Sequence, residues 1–203
     1  MEPADKILTG AAELFDKYGL KSITMDDIAK HIGMSKKTIY QFFDDKEAII
    51  QAVMDFVLKE NQSNIILKQQ QAENSVDEMF QAMRQMECIL SHRNPVLFYD
   101  MQKYYPPVWH QFQEFKSNFL LKMTEKTLVR GIEQHLFRKD LNIGALARLR
   151  IAEIDLGFNP TIFPPELYHV SQVQQLLLEH FLYGICTIEG FKLIENYKAI
   201  AND

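Results

Sequence analysis

The chain has 203 residues, of which 47% are hydrophobic and 24% are charged. A chain of this size and composition can bury one core or two small ones, which excludes an intrinsically disordered protein. Its net charge of −5 excludes a protein that coats nucleic acid through overall positive charge. Any DNA binding must therefore come from a local basic patch.

The cysteines and the apolar segments indicate where the protein works. Cys88 and Cys186 lie far apart in apolar, helix-like surroundings, which favours reduced, buried thiols over a secreted disulfide scaffold. The first residues lack the basic start and apolar run of a signal peptide, and no stretch approaches the roughly 18 apolar residues of a membrane span. We therefore expect a soluble, cytoplasmic protein.

The N-terminal residues predict four successive helices. Glycine (8) and proline (7) are scarce, which favours long helices. Pro3 suits the first turn of one helix, and Gly19 suits the left-handed position just past its end. Thr24 opens a capping-box variant for a second helix, and Ser35 is a good N-cap for a third. A fourth helix runs from residues 44–47 to about residue 71. One face of the first helix is apolar: Leu8, Ala11, Ala12, Phe15 and Tyr18.

The rest of the chain is also predicted to be helical. Residues 75–78 form a capping box that opens a helix to about Leu90, and breaks follow at residues 91–95 and 105–107. Helices are then expected from Val108 to about Gln134, around residues 146–156, and from Glu166 to Tyr197 in one piece, with a loop at residues 157–165. No segment alternates as a strand does, so the fold class is all-α.

Residues 28–43 carry the pattern of a helix-turn-helix. Ala29 is small where a partner helix approaches closely, and Gly33 follows where the chain must turn sharply. The apolar residues around them can hold two short helices at a steep angle: Ile28, Ile32, Met34, Ile39 and Phe43. The alternative is a three-helix substructure of some unrelated protein.

The same segment is the local basic patch. Residues 30–43 contain three lysines and His31 but no acid. A recognition helix starting at Ser35 would enter the major groove N-terminus first, where lysines and exposed amides attract phosphates. Tyr40 and Lys46 suit backbone phosphates, although Tyr40 could instead pack on the core. The side chains offered to base edges are Lys36, Lys37, Thr38 and Gln41.

These residues resemble the DNA-binding domain of the TetR family. The resemblance covers roughly residues 5–50 and rests on Ile7-Leu8, Ala11-Ala12, Leu14-Phe15, Gly19, Thr24-Met25, Ile28-Ala29, Gly33, Ser35-Lys36, Thr38-Ile39-Tyr40, Phe43 and Lys46-Glu47. Many members have glycine where this chain has Lys37, so operator preference does not transfer. The resemblance implies DNA contacts at Thr24, Ser35, Lys36, Thr38, Tyr40 and Lys46.

The resemblance also implies the domain organisation. Residues 1–50 would form a helix-turn-helix DNA-binding domain, and residues 51–203 a helical ligand-binding and dimerisation domain. Residues 131–133 and 137–141 resemble the family's turn after its seventh helix, but His135 replaces a common glycine. In the family, a ligand bound in the C-terminal domain weakens operator binding by an all-helical dimer.

Methionines and aromatic residues in the middle of the chain suggest a flexible apolar interior for a small, largely apolar ligand. A plain core is the alternative explanation of the same pattern. Arg84 and His110 could orient a polar group of a ligand if they point inward. The candidate ligand-binding residues are Met83, Met86, Met101, Tyr104, Trp109 and Phe112.

The predicted last helix has two apolar faces. One face contains Val173, Leu176, Leu182 and Ile185 and would pack on its own domain. The other resembles a coiled-coil seam on which a second copy of the chain would pack, together with Leu149 of the preceding helix. An intramolecular core is the alternative. The seam residues are Leu177, Phe181, Gly184, Ile188 and Phe191.

No motif in the sequence indicates catalysis, a cofactor or a metal site. The pattern predicts a DNA-binding transcriptional regulator, a ligand-responsive repressor that acts as a homodimer on a palindromic operator in double-stranded DNA. The alternative is a protein-interaction module that uses the same fold without a ligand response.

Overall fold

The computed structural model describes residues 2–91 and 96–201. Within these ranges the chain is helical without a β-strand, which confirms the all-α prediction. The break predicted at residues 91–95 falls mostly outside them. The helices are α1 (Pro3–Tyr18), α2 (Met25–Ile32), α3 (Lys36–Ile39), α4 (Lys46–Gln71), α5 (Ser75–Ser91), α6 (Val96–Tyr104), α7 (Pro106–Glu114), a π-helical segment (Phe115–Leu120), α8 (Leu121–Glu133), α9 (Ile143–Gly157), α10 (Val170–Ile185) and α11 (Ile188–Ala201).

The described residues form two compact units. The first contains residues 2–62 and 96–114, and the second contains residues 63–91 and 115–201. The long helix α4 begins in the first unit and ends in the second. Helices α6 and α7 therefore join the N-terminal helices in one unit, whereas the sequence division at residue 50 had assigned them to the C-terminal part.

The first unit is built around the short N-terminal helices, whose caps the sequence predicted. The Thr24 hydroxyl accepts a hydrogen bond from the Asp27 amide, and the Asp27 carboxylate accepts one from the Thr24 amide. Gly33 ends α2 with φ 64°, a left-handed conformation that glycine adopts without strain. Gly19 ends α1 with φ 80°. The fully buried side chains include Ile7, Ala11, Ile28, Ile39 and Ile49.

The second unit contains an irregularity within the helix predicted from Val108 to Gln134. The stretch is helical, but Phe115–Leu120 forms a π-helical segment between α7 and α8. Lys116 of this segment is 1% exposed, and its amine contacts the Asp155 carboxylate of α9. A π turn inserts an extra residue per turn, which a search for the 3.6-residue period does not detect.

The prediction of one final helix is wrong, because the chain breaks at Cys186 and Thr187. The Phe137 backbone pairs with Cys186, so that the Arg138 amide donates to the Ile185 carbonyl and the Thr187 amide to the Leu136 carbonyl. The Thr187 hydroxyl then accepts a hydrogen bond from the Gly190 amide at 3.2 Å and caps α11. Helices α10 and α11 are therefore separate.

The capping box predicted at Ser75 is also wrong, because Asn74 caps α5. The Asn74 side-chain oxygen accepts hydrogen bonds from the amides of Val76 and Asp77 at 3.0 and 2.9 Å. The Ser75 hydroxyl is buried without a hydrogen-bond partner. Asn74 also donates to the Tyr197 hydroxyl at 3.0 Å, so its place is fixed by a residue far along the chain.

Candidate nucleic-acid interface

Helix α3 is a short helix held by one capping hydroxyl and one buried anchor. The Ser35 hydroxyl accepts a hydrogen bond from the Thr38 amide at 3.1 Å, as an N-cap does. Ile39 is fully buried in the core of the first unit. After Ile39 the chain continues in tight turns, and the Phe43 amide donates to the Ile39 carbonyl at 3.0 Å. The Ser35 cap and the buried Ile39 thereby hold the helix in place while its outer side chains stay exposed.

The outer side chains of this segment are the predicted DNA contacts. Lys36, Lys37, Tyr40 and Gln41 are exposed, and Thr38 is half-buried. Tyr40 is 46% exposed, which disfavours the alternative that it packs on the core. Phe42, which the sequence analysis did not assign, is 44% exposed beside them. The sequence did contain a signal for an exposed aromatic residue here, because residues 42 and 43 are both aromatic and only one of two adjacent side chains can face the core.

Lys36 is engaged by an acid on the preceding helix. Its amine lies 2.9 Å from the Asp26 carboxylate, and this hydrogen bond raises the pKa of the Lys36 amine. Both side chains are exposed, so the pair contributes little to stability. A phosphate that approached Lys36 would compete with Asp26 for the amine.

Two other predicted contacts are already used as caps. The Thr24 hydroxyl and backbone both bond to Asp27, and these hydrogen bonds lower the pKa of the Asp27 carboxyl. The Ser35 hydroxyl lies 2.8 Å from the Thr38 hydroxyl. Both caps leave a helix N-terminus at the surface, where backbone amides can bind an anion.

Lys46 begins α4 and is half-buried. Its amine donates to the Lys21 carbonyl at 3.3 Å and lies 5.9 Å from the centre of the Tyr105 ring. Burial lowers the pKa of this amine, and the nearby Asp100 and Asp27 carboxylates oppose that shift. The structure thus places Lys46 beside the turn between α1 and α2.

The comparison with protein families identifies this arrangement. Residues 7–53 match the family model described as bacterial regulatory proteins, tetR family. Residues 7–53 therefore form a TetR-family DNA-binding domain. The matched residues include α2, α3 and their caps.

Two relatives of the chain agree with this match. IcaR, a negative transcriptional regulator of the biofilm operon icaADBC in Staphylococcus aureus, is 31% identical over 77 residues, which are 38% of this chain and 41% of IcaR. The match therefore spans about two fifths of the length of IcaR. The uncharacterized transcriptional regulator YvaF of Bacillus subtilis is 20% identical over 91% of this chain and 96% of its own.

A solved structure extends the likeness in fold to most of the chain. The transcriptional regulator FadR of Bacillus subtilis, crystallised with stearoyl-CoA, superposes with a TM-score of 0.68 at 16% sequence identity. The superposition covers 89% of this chain and 98% of FadR.

The predicted ligand-binding residues are divided between the two compact units. Met83 and Met86 are half-buried in α5 of the second unit. The other four belong to the first unit, where Met101 is 2% exposed in the core and Tyr104 is 36% exposed. Trp109 and Phe112 are half-buried there, with ring centres 5.8 Å apart. Arg84 and His110 could orient a ligand group only if they pointed inward, and both are exposed.

The predicted dimer residues are divided between exposed and buried positions. Leu149, Ile188 and Phe191 are exposed at 50%, 72% and 49%. Gly184 is exposed, and a side chain added there would meet nothing within 4 Å. Leu177 is half-buried, whereas Phe181 is 4% exposed in the core of the second unit. A continuous seam through all five residues is therefore wrong, since α10 ends at Ile185 and Phe181 faces inward.

Within residues 2–91 and 96–201, no three histidine, cysteine, aspartate or glutamate side chains are grouped as a metal site would require. No helix in these ranges is long and apolar enough to cross a membrane.

Proposed function

We propose that the chain is a transcriptional repressor that binds a palindromic operator as a homodimer, with α3 of each protomer in the major groove. The observation that carries this proposal is the geometry of α3. Ile39 anchors the helix in the core while Lys36, Lys37 and Gln41 stay exposed on its outer side. IcaR, which is 31% identical to this chain over 77 residues, is a negative transcriptional regulator.

The exposed side chains divide into two roles. Lys36, Lys37 and Thr38 of α3, with Gln41 just beyond its end, would contact base edges and the nearest phosphates. Tyr40 and Lys46 would bind backbone phosphates, which position the protein without reading sequence. The helix N-termini capped by Thr24 and Ser35 would add amide contacts to phosphate.

Homodimerisation is proposed for the second unit because its surface is rich in apolar side chains. Leu149 of α9, Leu176 of α10 and Ile188 of α11 are each at least half exposed. Exposed apolar area of this kind indicates a protein partner, and a second copy brings a second α3 to the operator. Half-sites would then lie about one helical turn, ~34–36 Å, or a multiple of it apart.

A small, largely apolar ligand is proposed to act through the second unit. FadR, which shares this fold, was solved with stearoyl-CoA. Met83 and Met86 are half-buried and adaptable, which suits the lining of an apolar site. The ligand must bind better to one spacing of the two DNA-binding units than to the other, because equal affinity would shift nothing. Such a regulator acts on chromosomal DNA, in keeping with the predicted cytoplasmic location.

DNA binding is tested by selecting genome fragments with the purified protein and measuring affinity against salt. We expect selected fragments to share a palindrome and affinity to fall steeply as salt rises. Lys37→Ala should weaken binding more than tenfold, whereas Lys192→Ala, which removes the same charge from an exposed site on α11, should not. Normal dimers without salt-dependent DNA binding would instead indicate the protein-interaction module.

Dimerisation is tested with Leu149→Glu and Gly184→Glu. Both positions are exposed, and Gly184 has open space around it, so each variant should fold. A charge in an apolar interface should weaken the dimer by at least about 2 kcal/mol, roughly thirtyfold. Sedimentation would then show monomers with weak operator binding. Intact dimers of both variants would contradict the proposed surface.

A further inference from the structure

A second group of exposed cations lies on the first unit, outside the residues assigned to DNA. The Lys21 amine donates to the Tyr104 hydroxyl at 3.1 Å and lies 4.3 Å from the centre of the Tyr104 ring. The Lys103 amine lies 5.4 Å from the same ring centre and donates to the Tyr99 hydroxyl at 2.6 Å. These four side chains, Lys21, Tyr99, Lys103 and Tyr104, are exposed and are called the lysine–tyrosine cluster below.

The cluster is held in place by a buried acid. The Asp100 carboxylate is 3% exposed and accepts a hydrogen bond from the Lys21 amide at 2.9 Å. This bond fixes α6 against the turn between α1 and α2. Gly19 permits it, because a Cβ at Gly19 would come within 3.0 Å of the Asp100 oxygen. The Asp100 carboxylate therefore binds the Lys21 backbone, whereas the Lys21 and Lys103 side-chain amines lie at the surface.

The cluster is continuous with the proposed DNA surface. Lys46, a proposed phosphate contact, donates to the Lys21 carbonyl at 3.3 Å. Lys21 also precedes Thr24, the N-cap of α2, by only three residues. Contacts thus run from Lys46 through Lys21 to Tyr104 and Lys103 within one compact unit.

Two cations that converge on one exposed ring repel each other, and a bound anion removes that repulsion. Lys21 and Lys103 both lie over the Tyr104 ring, whose face attracts cations. The tyrosine hydroxyls add hydrogen-bond donors, and lysine with tyrosine is a common set of phosphate contacts. The sugar–phosphate backbone of DNA carries a row of negative charges, which matches an extended row of such groups.

We propose that the lysine–tyrosine cluster binds backbone phosphates of DNA that flank the half-site contacted by α3. This inference rests on the proposed function, because it extends the same DNA surface onto α6. Lys21 and Lys103 are the phosphate ligands, and Tyr104 positions the Lys21 amine. The cluster adds affinity without sequence preference, and it makes affinity depend on DNA beyond the base pairs that α3 contacts.

The test compares a minimal operator with one extended by about ten base pairs, one helical turn, of arbitrary sequence on each side. The wild-type dimer should bind the longer fragment more tightly and with a steeper salt dependence. A Lys21→Gln, Lys103→Gln double variant loses four contacts per dimer, which should lower the salt slope by about 3.6 and affinity for the longer fragment by at least about tenfold.

Controls separate a phosphate contact from a structural role. Lys103→Arg keeps the charge and should retain the gain from flanking DNA, whereas Lys192→Gln removes a charge from α11 and should also retain it. The thermal midpoint of each variant is measured alongside, since a merely structural brace would shift it. Tyr104→Phe keeps the ring but loses the hydroxyl, and it should show a smaller loss than Lys21→Gln.

The outcomes distinguish this inference from the proposed function. Wild-type protein that binds neither fragment would overturn both. If wild-type protein binds the operator and Lys37→Ala abolishes that binding, the proposed function stands. An unchanged gain from flanking DNA in the double variant would then overturn the lysine–tyrosine cluster alone.

Discussion

The two compact units differ in how they use polar groups. In the first unit, the lysines of α3 are exposed and the core is almost wholly apolar. In the second unit, polar and charged side chains enter the interior. Of the buried polar residues among those the structure describes, only Asp100 lies in the first unit, and eight lie in the second: Ser75, Glu78, Lys116, Thr127, Arg150, Glu153, Ser171 and Gln174.

The buried charged groups of the second unit are paired, either between helices distant in sequence or within one helix. Arg130 of α8 donates to the Ala72 carbonyl at the end of α4 and lies 3.4 Å from the Glu78 carboxylate of α5. Arg150 and Glu153 pair within α9 at 3.2 Å, and burial lowers the pKa of Arg150 and raises that of Glu153. Such groups need their partners, because an unpaired buried charge is costly. The second unit therefore depends on tertiary contacts where the first depends on local caps.

The largest expected effect is a loss of stability confined to the second unit. Phe137 is fully buried, and its ring fills the space that a side chain at Gly131 would occupy. Phe137→Ala should lower the free energy of unfolding by about 3–5 kcal/mol. The single tryptophan, Trp109, lies in the first unit, so its fluorescence and circular dichroism together show whether the two units unfold separately in urea.

A matched control is Leu167→Ala in the same unit, at a side chain that is 76% exposed. It should change the unfolding free energy by less than about 0.5 kcal/mol. A Phe137→Ala protein as stable as this control would contradict the packing of the second unit.

A smaller effect separates the cap seen in the structure from the cap predicted by sequence. Asn74→Ala should destabilise the protein by about 1 kcal/mol, because α5 loses its N-cap. Ser75→Ala should be neutral or stabilising, because it removes a buried hydroxyl without a partner. Urea unfolding of the two variants measures both changes in the free energy of unfolding and shows which residue is the cap. The reverse order of stabilities would show that Ser75 is the cap.

The smallest expected effect concerns the acid that competes for a DNA-binding lysine. Asp26→Asn removes the partner of Lys36 and one negative charge beside α3. Operator affinity should rise about two- to fivefold, since an exposed ion pair is worth at most about 1 kcal/mol. Glu166→Gln removes an exposed charge from the second unit and should leave affinity unchanged. Weaker binding by Asp26→Asn would indicate that Lys36 must stay paired to be positioned.

The first unit could be predicted because its signals are local. The Thr24 cap, the Gly33 turn and the Ser35 cap each depend on residues within four positions, and the structure contains all three. The exposed side of α3 followed from Ile39 as the anchor. The membership of α6 could not be predicted, since it depends on the Asp100 carboxylate reaching the Lys21 amide 79 positions away.

The second unit was predicted less well because tertiary contacts override the local pattern. The apolar period continues through Cys186, but pairing with Phe137 breaks the helix there. Thr187, a residue type favoured at N-caps, followed by Glu189 in the first turn, was the local signal for the new helix. Periodicity also cannot tell Phe181, which is buried, from Phe191, which is half exposed.

The central claim is that α3 reads base edges, and the most direct measurement is the ratio of operator affinity to random-DNA affinity at one salt concentration. We predict that a Lys37→Ala, Gln41→Ala double variant has a ratio at least about tenfold lower than that of the wild-type protein. The reason is that each lost base contact costs about 1–3 kcal/mol of discrimination. Tyr40→Ala should weaken both affinities and leave the ratio nearly unchanged. A double variant that is dimeric, folded and as discriminating as the wild-type protein would contradict the account.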